Sequence, residues 1–176
     1  MTTAVVVFVA FRIAGSLPVL RWPLAGGLLA ILVDLGDLLV RDLLGGVGDY
    51  QALDKWLDQI YLAAFLVVSR RWSEPARRIA LALYLFRLIG FLAFELTGER
   101  ALLLAFPNVF ETWFLAVAVV GHGRVAGWSR GRITALLAGA AAIKLVHEWA
   151  LHGARLFDGI SSLEAIDLVW RRLTGG

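Results

Sequence analysis

Five short sets of polar residues interrupt otherwise apolar sequence, and each set has helical spacing. Asp34 and Asp37 are three apart, the separation of neighbours on a helix surface. Asp54, Asp58 and Tyr61 follow at spacings of four and three. Asn108 and Glu111 share a face, as do Lys144, His147 and Glu148. Arg87 and Glu95 are eight apart, about 12 Å along what reads as one stripe of a helix. Asp34, Asp37, Asp54 and Asp58 carry the oxygen chemistry of a divalent-metal site, with magnesium or a similar ion as the expected cofactor. Arg87, Arg100 and Lys144 suit an anionic substrate group, with Asn108, Tyr61 and Glu95 beside them. Glu111, His147 and Glu148 have the chemistry to move protons as catalytic groups.

These sets are unbalanced in charge. Seven carboxylates (Asp34, Asp37, Asp54, Asp58, Glu95, Glu111 and Glu148) face three bases inside apolar segments, Arg12, Arg87 and Lys144, and two histidines, His147 and His152. Such a surplus repels itself unless a cation, protons or a basic ligand group offsets it. The plainer reading is that the same residues sit at the interface or pair inside a bundle. Asp34 would then partner Arg12 or Arg87, and Asp54 would be an ordinary helix-start residue. His147 and His152 do not make a zinc-protease site. They are five apart, about 140° around a helix, whereas histidines that share one zinc are a single turn apart.

The aspartates Asp34-x-x-Asp37 and Asp54-x-x-x-Asp58, with Arg41 between them, resemble part of the signature of the CDP-alcohol phosphotransferases. In that family's pattern D-x-x-D-G-x-x-A-R precedes G-x-x-x-D-x-x-x-D. The likeness covers about 25 residues. Leu38 stands where the first glycine belongs, Tyr50 lies near the second, and Arg41 comes one residue early. The resemblance implies six membrane helices, with aspartates that hold a divalent metal against a diphosphate.

The sequence around these residues is that of a membrane protein. Of 176 residues, 60% are apolar and 18% charged, and mean hydropathy is +0.77. Soluble domains carry about 45–50% and about 25%. There is no cysteine, which excludes disulfides and thiolate metal sites. Six apolar runs cover 4–20, 24–40, 53–69, 79–96, 101–120 and 133–152. The first has no basic residue before it and is interrupted by Arg12, which argues for a retained helix rather than a signal peptide. Pro107 begins or kinks the fifth. Gly26, Gly27, Ala135, Gly139 and Ala142 are small enough for close helix packing. Ser161 and Glu164 form a capping box ahead of Leu163, Ile166, Trp170 and Leu173, the pattern of an amphipathic surface helix. The expected fold is an all-α integral membrane protein with six transmembrane helices in one bundle over residues 1–153. A short C-terminal amphipathic interfacial helix follows within 154–176.

Threaded this way, thirteen of the fourteen carboxylates fall on one membrane side, the exception being Glu74. The three loops opposite carry Arg21, Arg70, Arg71, Arg77, Arg78, Arg124, Arg130 and Arg132, eight bases against six on the acidic side. The positive-inside rule places those loops in the cytoplasm, with both termini and the polar site outside, in the plasma membrane. The expected function is binding or processing of a lipid headgroup or lipid-linked phosphate with a divalent cation. The alternatives are a small-solute or cation transporter and a non-catalytic accessory subunit. The expected partners are membrane lipids and a lipid-linked substrate, not nucleic acid. The oligomeric state is left open.

Overall fold

A computed structural model describes residues 3–36, 50–99, 101–149 and 171. Among the described residues the structure is all-helical. Of the expected C-terminal helix only Arg171 is among them, and Asp37, Arg100 and His152 lie outside them. Helix α1 (Thr3–Ser16) runs into a 3₁₀ turn, Leu17–Leu20, because Pro18 supplies no N–H to continue the α pattern. Helices α2 (Pro23–Leu35), α3 (Tyr50–Ser69) and α4 (Ala76–Thr97) follow. The run expected as a fifth helix is two, α5 (Ala101–Ala105) and α6 (Val109–Val120), with the break at Pro107. A short helix, α7 (His122–Ala126), occupies the segment read as a loop, and α8 (Arg130–Glu148) closes the described bundle. Ser73 lies ahead of α4, and its backbone N–H and hydroxyl bond away from it. Both lie 3.2 Å from His122 Nδ1, and Pro75 precedes the helix.

Helix α4 alone among the described elements is long and apolar enough to cross a membrane. It has 22 residues, about 33 Å at 1.5 Å each, against a hydrocarbon core of about 30 Å. Its apolar window has mean hydropathy 2.0 and is only 17% buried, so it is not the enclosed core helix of a soluble domain. Val5–Leu20, Pro23–Leu35, Trp56–Ser69 and Val109–Val120 are shorter apolar helices.

The bundle has an apolar outside and a partly charged inside. Leu32, Ile89, Val119, Ile143 and Val146 are more than half exposed, whereas Arg12, Glu111 and Lys144 are buried. Between these charges and the opposite end runs an aromatic column. Phe65 stacks on Phe114 at 4.1 Å between ring centres, Phe114 on Trp72 at 5.1 Å, and Trp72 on His122 at 6.5 Å. Trp113 is fully buried and its indole N–H donates to the Ala76 carbonyl at 3.3 Å.

Two backbone approaches fix the helix packing. A Cβ on Gly26 would stand 2.2 Å from the Val19 nitrogen, so α2 rides directly on the 3₁₀ turn. A Cβ on Gly90 would stand 2.3 Å from Phe106 Cβ, which locks α4 to the α5–α6 break. Ala135, Gly139 and Ala142 differ from expectation. They lie on the exposed face of α8, and a Cβ on Gly139 would meet nothing within 4 Å. Gly26→Val should therefore destabilise the protein by about 2 kcal/mol or more, since backbone cannot yield as a side chain does. Gly139→Ala should be neutral or slightly stabilising. Thermal unfolding in detergent checks both.

Candidate functional site

The polar site is assembled at one end of the bundle from five helices, in two clusters joined through α3. In the first, the Arg12 guanidinium of α1 bonds the Oδ1 atoms of Asp34 on α2 and Asp58 on α3, the latter at 2.6 Å. Arg12 is 4% exposed, while the side chains of Asp34 and Asp58 are 27% and 24% exposed. The cation is therefore enclosed and the two acids border the outside. Asp34 ends α2 and Asp58 lies within the first half of α3, so antiparallel running brings them level.

In the second cluster, Glu111 Oε2 accepts from the Tyr61 hydroxyl at 2.9 Å and from Asn108 Nδ2 at 3.1 Å. Lys144 Nζ donates to both Glu111 oxygens, at 3.2 and 3.3 Å. Asn108 Nδ2 also donates to the Tyr61 hydroxyl at 3.2 Å. These four residues are all buried. Tyr61 lies three residues after Asp58 on the same helix face, so α3 supplies a member of each cluster.

The break before α6 makes the second cluster possible. Pro107 cannot donate within a helix, so the chain restarts at Asn108, and its first turn presents Asn108 and Glu111 to the interior. The Asn108 backbone N–H, left without an intrahelical acceptor, donates to Glu148 Oε1 on α8 at 3.0 Å. This is the usual placement of a carboxylate at a helix N-terminus. On the other side of the break, Arg87 donates to the Phe106 carbonyl at 2.9 Å. Asn108 Oδ1 is buried and has no hydrogen-bond partner among the described residues.

The structure thus brings Asp34, Asp58, Tyr61, Asn108, Glu111, Lys144 and Glu148 into one connected region, with Arg12 added. The Asp34–Arg12 pair was one of the two ion pairs expected for Asp34, and Asp58 is the second partner that the sequence did not mark. The counter-charge beside Asp34 and Asp58 is Arg12, whereas the described bond of Arg87 serves the chain break. Glu95 is exposed on α4 and has no side-chain partner among the described residues. Eight residues from Arg87 is about 80° around the helix, so the two do not share a stripe. His147 is half-buried beside Glu148 and bonds none of the network among the described residues. Asp54 falls in the first turns of α3, with its side chain outside the described residues, as are Asp37 and Arg100 entirely.

Two cations, Arg12 and Lys144, meet four carboxylates, Asp34, Asp58, Glu111 and Glu148, within this region. Among the described residues no three His, Asp or Glu side chains gather as metal ligands. Asp34 and Asp58 do converge on one point from two helices, and the Arg12 guanidinium occupies it. No family model, curated protein or solved structure matches this chain.

The Lys144–Glu111 pair makes a direct prediction. Breaking it by Lys144→Met or Glu111→Gln should cost about 3–5 kcal/mol, because each leaves a buried group without its partner. The double variant should recover much of that loss. A double-mutant cycle by thermal unfolding measures the coupling, and additive losses would mean that the two groups do not depend on each other.

Proposed function

We propose that the protein is a multi-pass membrane bundle of six spans, and that its carboxylate-rich network binds and passes a cation or proton from one membrane side. The observation that carries this reading is the enclosure of charge inside an apolar exterior. Arg12, Glu111 and Lys144 are buried, while large aliphatic side chains on α2, α4, α6 and α8 face outward. Lipid, unlike water, favours that arrangement. Ionisable groups held in such an interior are characteristic of ion and proton pathways.

The gradation of exposure supports a direction of entry. Asp34 and Asp58 stand at the accessible end, and Tyr61 leads to the enclosed Glu111–Lys144 pair. The four carboxylates outnumber the two cations among the described residues of this region, Arg12 and Lys144, and such a surplus attracts an added cation or protons. Asp58 and Glu111 are the groups assigned to carry the exchange, with Tyr61 as the link. Arg12 and Lys144 are built-in cations that an incoming charge must share or displace.

A second reading, metal-dependent chemistry on a lipid headgroup or lipid-linked phosphate, is favoured by the convergence of Asp34 and Asp58 on one point. In that reading these aspartates, with Asp37 and Asp54, hold a divalent ion that supplies Lewis-acid stabilisation of phosphate charge. Lys144 then contacts the anion. Arg12 must move off at least one carboxylate to admit the metal.

Proteoliposomes with a trapped pH-sensitive dye separate these readings. Under an imposed pH gradient with sodium, potassium or methylammonium outside, the wild type should pass protons against cation, and Asp58→Asn should abolish the flux while remaining folded. Absence of flux in the wild type, together with divalent metal retained by the wild type but lost in Asp34→Asn, would favour the lipid-phosphate reading. Absence of both would leave the network as a lock between helices.

Sidedness has its own test. The chain contains no cysteine, so single cysteines at Arg71 and Gly123 report their loops without background. Both are expected to be shielded in intact cells from an impermeant thiol reagent and labelled after lysis. Labelling of both in intact cells would reverse the orientation.

A further inference from the structure

Opposite the polar site, the bundle ends in a face whose positive charge is carried entirely by arginine. Three loops meet there, and a chain of contacts places them together. Gly27, just after the first loop, faces the Phe114 ring. Phe114 stacks on Trp72 of the second loop, and Trp72 stacks on His122 of the third. Ser73 N–H donates to His122 Nδ1 at 3.2 Å and ties the last two loops directly.

This face exposes Arg21, Arg70, Arg71, Arg124, Arg130 and Arg132, none of which has an ion-pair partner among the described residues. Arg77 and Arg78 complete the set and share Glu74. Arg77 donates to Glu74 Oε1 at 2.7 and 3.0 Å, and Arg78 Nε lies 3.0 Å from Oε2 as a charge contact. Among the described residues the face thus holds eight guanidiniums against one carboxylate and no lysine. Self-repulsion on that scale favours an anionic partner.

We propose that this face binds the phosphate groups of anionic phospholipids, gripping them through guanidinium forks. The proposal rests on the membrane reading above, and two observations favour lipid over a soluble anion. The guanidiniums lie next to exposed apolar residues of the same end, Leu17, Leu20 and Leu81, so a bilayer covering those residues sets its headgroups among them. Trp22, beside Arg21, is 61% exposed, as a tryptophan at a headgroup boundary is. Arginine presents planar paired donors to phosphate, whereas lysine offers a point charge. The residue type therefore adds geometry to the attraction.

The test is native mass spectrometry of the protein released from nanodiscs containing equal phosphatidylglycerol and phosphatidylcholine. The wild type should retain phosphatidylglycerol preferentially. Arg70→Gln, Arg71→Gln and Arg124→Gln combined should reduce that preference by about a hundredfold, since each base near an anionic surface contributes about fivefold. Lysine at the same three positions keeps the charge and should restore only part of it. No preference in the wild type, or an unchanged preference in the glutamine variant, would overturn the proposal. Full restoration by lysine would overturn the fork contact and leave charge alone. Vesicle flotation is run in parallel. A wild type that inserts into neither lipid would overturn the membrane reading and this proposal with it, whereas one that inserts into both without preference would overturn only the proposal.

Discussion

A charge enclosed by apolar helices has to find its partner inside the bundle, and this constraint organises the protein. Arg12 is 4% exposed and cannot reach solvent, so α2 and α3 must bring Asp34 and Asp58 to it. Lys144 is under the same constraint and meets Glu111. In water such pairs contribute little, because solvent screens them. Buried, the loss of one partner is costly, so the pairs fix which helix faces turn inward even where they add little net stability. Each pair joins different helices, and α3 serves both, with Asp58 bonded to Arg12 and Tyr61 bonded to Glu111. Rotation of one helix would therefore disturb the whole set.

The broken fifth helix is part of the same solution. A continuous helix would tie its backbone groups into its own ladder. The interruption at Pro107 frees the Asn108 N–H for Glu148 and the Phe106 carbonyl for Arg87. It also starts a new helix inside the bundle, with Asn108 and Glu111 in its first turn. Irregular backbone in an apolar setting is tolerated where protein satisfies it, and here side chains from α4 and α8 do so. Gly90 supports the break by letting Phe106 approach the α4 backbone.

Much of the site was legible because helical spacing converts sequence separation into a shared face. Asp58 with Tyr61, Asn108 with Glu111, and Lys144 with Glu148 all follow that rule and all enter the network. Glu95 did not follow Arg87, since eight residues is not a whole number of turns. Arg12 was read as one of two partners for Asp34 and pairs with it, but its apolar run contains no second charged residue to show that the same face also meets Asp58. The stripe Ala135, Gly139 and Ala142 was read as a packing seam but faces outward, since small size permits close approach without requiring it. Pro107 marked a discontinuity, but only the packing of Gly90 against Phe106 distinguished a helix start from a mid-segment break.

The inversion of polarity, with aliphatic side chains outside and charges within, is the claim from which the functional reading follows. It is tested most directly by nitroxide spin labels placed singly at Leu32, Ile89, Val119 and Val146, each more than half exposed, in protein reconstituted in lipid. Collision with oxygen, which concentrates in lipid, is compared with collision with a water-soluble nickel chelate. Oxygen accessibility and nickel exclusion are expected at all four positions, with the reverse at Gly123 in the arginine-bearing loop. Free nickel access at the four helix positions would contradict it, because their apolar faces would then be turned to water.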